Sequence, residues 1–423
     1  MTRVDGRHIT IVAPPLPGHW DPLQVLAGLL VDRGHRVTFL HIGDSAAMLK
    51  DSAFGFEPVG TGSHGPGALA AYRDRLAHAP SLRGFLPMLR ATAAMSEMLL
   101  RDLPSALQRI GAEAVIGDET EPAAGMVARY LGLPWITSVT GLPLLRDPLV
   151  PPPFVGWRFR DDPGGLKRNQ GGYRVADRLM RPIRRVLEER ARAWGLDLEE
   201  IDAGSPLLQV AQCPPTLDFP RRELPASFRY CGPFRSGDAA AVELPRDRPL
   251  VYCSLGSLQG NRPQLFGAMT SACAGLGARA IVGHGGLLSD AAARALPGDP
   301  LVAPYWPQPA ILPQCSAALL HGGFNTVLDT LAAGVPMAVR PLAFEQPGTA
   351  ARVVRSGAGI MVGRNLLGRR NMRAALRSLL QDPTFGEAAD AMARGMAKLG
   401  GARLAADLVD EALRTGRLPP APA

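Results

Sequence analysis

The stretch from Tyr305 to Gln346 concentrates side chains that could hold a phosphate: YWPQPAILPQCSAALLHGGFNTVLDTLAAGVPMAVRPLAFEQ. An apolar run, Ala317 to Leu320, leads into His321, Gly322 and Gly323, and a helix-like pattern follows from Asn325. Glycines at a strand–helix junction let backbone N–H groups approach an anion closely. The N-terminus of the helix behind them carries partial positive charge, which favours a phosphate there. Thr326 falls in the first turn, within reach of such a phosphate, and Asp329 lies about one turn further on, placed to accept hydrogen bonds from a ribose. Glu345 and Gln346 follow a second apolar run, Val335 to Val339, and so belong at the carboxyl end of another strand. In open α/β sheets those ends line the ligand crevice.

A second set of candidates lies in the N-terminal half. His19 sits in PPLPGHWDP, just after the apolar, β-branched run His8 to Ala13. A histidine at the carboxyl edge of a parallel sheet supplies a base of near-neutral pKa. Asp118 ends the run Ala114 to Gly117, again at a strand terminus, and on its own reads as a helix cap ahead of Pro122. Ser254, Gly256 and Ser257 form a third small-residue loop after the run Leu250 to Cys253, where hydroxyl and amide donors could assist.

Taken together, the C-terminal residues resemble the nucleotide-sugar signature of the family 1 glycosyltransferases, UDP-sugar enzymes of GT-B fold. Pro307-Gln308, His321, Gly323, Asn325-Thr326, Asp329, Gly334-Val335-Pro336 and Glu345-Gln346 stand at the signature's places without a gap after His321. Gly18-His19 with Pro22 matches the family's acceptor-side motif. The resemblance implies that Asp118 pairs with His19 and fixes its tautomer, that Tyr305 or Trp306 stacks on the base, and that Gln308 joins the nucleotide site. It implies that Glu345 and Gln346 contact the donor sugar, with Gln346 mildly favouring glucose. The implied reaction is an inverting transfer of a hexose from a UDP-sugar, with His19 as base, no metal and no bound cofactor. The chain departs from the plant pattern in carrying Tyr305 where a Trp is usual, Asp329 for Glu, and Arg340 for Trp.

A narrower similarity joins Leu217 to Arg235, Val251 to Phe266 and the His321 segment to bacterial zeaxanthin glucosyltransferases, which implies a lipophilic, hydroxylated acceptor such as a carotenoid. Polyketide or macrolide alcohols stay open as acceptors. So do an epimerase, a sugar-on-sugar transferase, and an inactive homologue serving as a partner protein. A dinucleotide-binding enzyme is disfavoured, since no GxGxxG follows either leading strand.

These sites need a scaffold. The 423 residues suffice for two domains, and 46% hydrophobic with 20% charged residues describes a globular chain. No run approaches the ~18 apolar residues of a membrane span. The amino terminus lacks a signal-peptide layout, and five scattered cysteines without a CxxC fit reduced thiols, so a cytoplasmic location is expected. Strand-like and helix-like runs alternate in both halves, which predicts α/β architecture: two Rossmann-like parallel-sheet domains facing each other across a cleft.

The expected boundaries are an acceptor-binding domain 1–232 with an insert at 142–203, a linker 233–248, and a nucleotide-sugar domain 249–400. A helix 401–417 is expected to cross back, before a disordered tail 418–423. Asp21, Pro22 and Gln24 predict the start of the first helix, and the insert is expected to turn helical after Tyr173. A net charge of +8 suggests an anionic partner. Nucleic acid is disfavoured for want of interleaved aromatics or a known module. Arg174, Arg178, Arg181 and Arg185 recur at helical spacing, which reads first as a solvated face and second as a peripheral contact with anionic lipid on the inner face of the membrane.

Overall fold

The computed structural model describes residues 6–79, 81–201, 204–237, 240–363 and 368–420. Two wholly parallel sheets organise it. The first contains β1 (His8–Val12), β2 (Arg36–Ile42), β3 (Gly55–Val59), β4 (Ala114–Asp118), β5 (Trp135–Val139), β6 (Gln209–Ala211) and β7 (Phe228–Tyr230), in the order β3-β2-β1-β4-β5-β6-β7. The second contains β8 (Leu250–Ser254), β9 (Arg279–Gly283), β10 (Leu301–Ala303), β11 (Ala317–Leu320), β12 (Met337–Val339) and β13 (Gly359–Met361), in the order β10-β9-β8-β11-β12-β13. The continuous apolar runs of the sequence become strands buried on both faces, as parallel sheets covered by helices require.

Strand order fixes where chemistry can happen. It reverses between β1 and β4 in the first sheet and between β8 and β11 in the second. The connections leaving those neighbouring strands diverge to opposite faces and open a crevice at their carboxyl ends. His19 follows β1 and Asp118 ends β4, while Ser254 ends β8 and His321 follows β11.

Two helices begin earlier than the sequence predicts. The first spans Pro17–Asp32, with Pro17 at its start and Pro22 inside it, so His19 lies in the first turn and not in a loop. Pro17 supplies the preset φ of a first helical residue, and Pro22 is tolerated so near the end because few backbone bonds are lost. The insert helix spans Pro163–Trp194, starting ten residues before Tyr173. Asp162 caps it by accepting from the Gly165 amide at 2.9 Å. The Gly171-Gly172 pair, which reads as a loop, instead admits close packing: a Cβ on Gly172 would stand 2.8 Å from the Trp157 ring and 3.0 Å from Pro152.

The last helix, Gly401–Thr415, contributes Ala405, Ala406, Val409 and Ala412 to the core around β1 and the first helix. Beyond it Pro419 is buried and its carbonyl accepts from Arg229 at 2.7 Å, while 421–423 of the expected tail fall outside the described residues. All five cysteines are buried and free. Among the described residues no helix is long and apolar enough to cross a membrane.

Candidate active site

A cleft of about 2220 Å³ runs between the carboxyl ends of the two sheets. On its N-terminal wall, His19 Nδ1 lies 3.1 Å from Asp118 Oδ2 and 2.8 Å from Thr140 Oγ1. The Thr140 hydroxyl donates to the same carboxylate oxygen, so its lone pair is free to accept the His19 Nδ1 proton. The Thr120 amide and hydroxyl donate to the other oxygen, Oδ1, at 2.9 and 2.5 Å. Asp118 is thereby fully engaged and does not act as the helix cap that its position suggests. The arrangement places the proton of neutral His19 on Nδ1 and leaves Nε2 as the acceptor.

Charge reinforces this geometry. Burial disfavours protonation of His19, but the Asp118 carboxylate, with Glu345 and Glu121 further off, outweighs it and raises the pKa. Burial likewise works against the Asp118 charge, and His19 together with the two threonines overcomes it, so that pKa falls. Glu121 behaves oppositely. Burial and the nearby Asp118 charge push it up to about 8, so near neutral pH it is mostly a carboxylic acid with a proton to donate. It lines the cleft and accepts from the Ser96 hydroxyl at 3.4 Å. Sequence reading missed both Glu121 and Thr140; an acid directly before Pro122 at a strand-to-helix turn was the available signal.

The opposite wall is built around His321. Burial depresses its pKa to about 4, so it is a neutral imidazole, and its buried Nδ1 has no partner among the described residues. Two glycines make room for the ring. A Cβ on Gly256, whose φ is +71°, would stand 2.6 Å from Nε2, and one on Gly323 would stand 2.4 Å from it. Gln308 Oε1 is a second buried atom without a partner. Ser254, Ser257 and Thr326 line the same wall. Tyr305 is 71% exposed and donates its hydroxyl to the Gly285 carbonyl, whereas Trp306 is anchored through its Nε1 to Val282. Tyr305 is therefore the more exposed of the two rings.

Four expected residues take more particular positions. Gly322 does not line the cleft; its φ of +94° makes the turn, with Val339 and Gln346 behind it. Asn325 donates from Nδ2 to the Gly18 carbonyl at 2.6 Å, across the cleft. Asp329 pairs with Arg235 at 2.5 Å, a cation the sequence reading did not assign; burial still raises its pKa, with Arg235 working against that. Gln346 is buried, and its Oε1 accepts from the Leu342 and Ala343 amides at 2.8 and 2.9 Å, bracing the loop that carries Glu345. Phe344, beside Glu345, has a φ of 52° and packs against the core of the N-terminal half. Glu345 faces the cleft, where burial raises its pKa and His19 opposes that rise.

Part of the cleft's N-terminal wall is apolar. Tyr72, Leu76, Phe85, Met88, Leu89 and Ile183 line it, from the helices Ala68–His78, Leu82–Ile110 and Pro163–Trp194.

Comparison with known proteins agrees with this geometry. Residues 235–394 match the family model described as UDP-glucoronosyl and UDP-glucosyl transferase. The chain is 35% identical to the zeaxanthin glucosyltransferase of Pantoea ananas over 97% of both chains. It is 36% identical to that of Pseudescherichia vulneris over 96% of this chain and 98% of the relative. Among solved structures, the glycosyltransferase of kitacinnamycin superposes with a TM-score of 0.77 at 21% identity, covering 97% of this chain and 100% of that one. The two facing parallel-sheet domains are thus the GT-B fold.

Proposed function

This chain belongs to the UDP-glucuronosyl and UDP-glucosyl transferase family and is a glycosyltransferase, and we propose that it moves glucose from UDP-glucose to a hydroxyl of a carotenoid such as zeaxanthin, with inversion. The observation that carries the reading is the placement, on opposite walls of one cleft, of the oriented His19–Asp118 pair and of His321, whose Nδ1 has no partner among the described residues. Both relatives of about one-third identity are glucosyltransferases named for zeaxanthin, and the apolar acceptor wall suits such a molecule.

In this reading the acceptor hydroxyl donates to His19 Nε2 while its oxygen attacks the anomeric carbon. The C–O bond to the diphosphate breaks on the far face, and the proton ends on His19, whose positive charge Asp118 stabilises. The departing diphosphate gains negative charge. Neutral His321, Thr326, the Gly323 region and the N-terminus of helix Phe324–Ala332 meet it with N–H and O–H donors. These donors stand where a metal ion would otherwise be needed, so we read the transfer as metal independent. Glu345 suits a hydroxyl of the donor sugar, and Tyr305 suits the uracil. Glu121, as a neutral acid, suits the acceptor oxygen.

The test is purified protein with UDP-glucose and other UDP-sugars against carotenoid, polyketide and macrolide alcohols, read by mass spectrometry. A hexosylated carotenoid formed faster than the other products is the expected result. Preferential modification of a macrolide would move the acceptor assignment.

A further inference from the structure

The insert helix Pro163–Trp194 carries nine Lys or Arg residues against three Asp or Glu, six net positive charges in a chain whose total is +8. Three observations separate one face of it from an ordinary solvated surface. Arg174, Arg178, Arg181 and Arg185 follow at intervals of four, three and four, so they form one stripe along the helix, and all four are exposed. Among the described residues, Arg174, Arg178 and Arg181 have no carboxylate partner, whereas Asp177 is neutralised from the insert by Arg146, and Arg185 pairs with Glu189. Large apolar side chains stand open in the same turns: Val175 is 59% and Leu179 47% exposed along one flank of the stripe, whereas Met180, 40% exposed, lies on the opposite side of the helix, toward the cleft.

A fourth observation concerns location. Leu179 and Met180 also line the cleft, so they form its rim, one turn from Ile183 in its interior. The neighbouring helix Leu82–Ile110 adds exposed Leu86 and Arg90 beside Phe85 and Leu89, which line the same apolar chamber. A lipophilic alcohol reaching that chamber from water would need a soluble carrier; from a bilayer it would need only contact between lipid and this rim.

We propose that the Arg174–Arg185 stripe docks on an anionic bilayer surface, with Val175 and Leu179 beside it entering the headgroup layer. The acceptor chamber, which Leu179 borders, then opens toward the lipid. Guanidinium groups meet lipid phosphates, and exposed Val175 and Leu179 gain an apolar environment. The docking stands on charge and exposure alone; only the delivery of substrate rests on the carotenoid reading.

The test uses the full chain and sedimenting vesicles of phosphatidylcholine, with or without phosphatidylglycerol. Binding is expected only to the anionic vesicles and is expected to weaken with salt. R174Q/R178Q/R181Q should reduce partitioning by about a hundred-fold, at roughly five-fold per charge, and V175S should reduce it further. Unchanged UDP affinity and circular dichroism would show that the variants fold. Equal binding to neutral and anionic vesicles, or undiminished binding by the triple variant, would overturn the proposal, as would a basic face that retains only nucleic acid. In a second arm, the triple variant should glucosylate zeaxanthin normally in detergent micelles and slowly in anionic vesicles. Vesicle binding by a protein that modifies no carotenoid would sink the acceptor reading and leave the docking standing.

Discussion

Asn325, in the donor half, donates its amide proton to the carbonyl of Gly18, the residue preceding His19, at 2.6 Å. That carbonyl is available because of Pro22, which sits four residues on and has no N–H to offer it. The amide oxygen of Asn325 accepts from Arg235 at 3.0 Å, and Arg235 also holds Asp329. A proline that would ordinarily weaken a helix thus opens a socket for the opposite domain. The position of the His19 turn is tied to the helix whose N-terminus faces the leaving group.

Asn325→Ala should leave the Gly18 carbonyl without its protein donor and loosen the His19 turn. A fall in kcat of roughly 2–13-fold is expected, from about 0.5–1.5 kcal/mol of lost bonding. Steady-state kinetics alongside calorimetric UDP titration would check this. Donor affinity falling as much as kcat would mean that Asn325 acts mainly on the nucleotide.

His19→Ala removes the base, and general-base contributions are typically of order 10²–10⁴-fold in rate. UDP affinity should stay within about two-fold, because its site is built by the other sheet. Asp118→Asn should cost a comparable factor, since an amide can hold the imidazole in the wrong tautomer.

Gly323→Ala and Gly256→Ala should each displace the His321 ring, whose Nε2 would lie 2.4 and 2.6 Å from the added carbons. UDP binding, read by calorimetry, should weaken at least ten-fold in both, while Gly18→Ala, whose new carbon would meet Asn325 Nδ2 only at 3.7 Å, should not disturb it. Normal donor affinity in the first two variants would remove His321 from the phosphate site.

The pH dependence follows from opposite shifts. His19 must be unprotonated, and its pKa is raised above 6.5, so kcat/KM should climb with pH through a midpoint above the ordinary histidine value. The acid form of Glu121 is lost as pH passes about 8, so the rate should decline there. Glu121→Gln keeps a neutral donor and should flatten that alkaline limb while leaving the acid limb in place. An alkaline limb unchanged in the variant would detach Glu121 from the acceptor.

Much of this was legible in the chain. Buried parallel strands advertise themselves as unbroken apolar runs, which is why β1, β4, β8 and β11, and the residues at their carboxyl ends, could be located. The motif around His321 has fixed internal spacing because one strand, one turn and one helix carry it. Helix starts were less legible. Two prolines near His19 compete for the first helical position, and Gly172 looks like loop until Trp157 and Pro152 occupy the space it leaves. Partners brought together only by the fold were not legible at all. Arg235 is 94 residues from Asp329, and Thr140 is 121 from His19. Nor does a sequence say that Gln346 spends its amide oxygen on its own loop.

With His19 on one side of the anomeric carbon and the diphosphate on the other, transfer is a single displacement across the cleft in this reading. Proton NMR of the product made from UDP-glucose, an α-linked donor, and zeaxanthin tests it most directly. A β-glucoside is the outcome this arrangement predicts. An α-glucoside, or hydrolysis of UDP-glucose with no carotenoid glucoside formed, would contradict it.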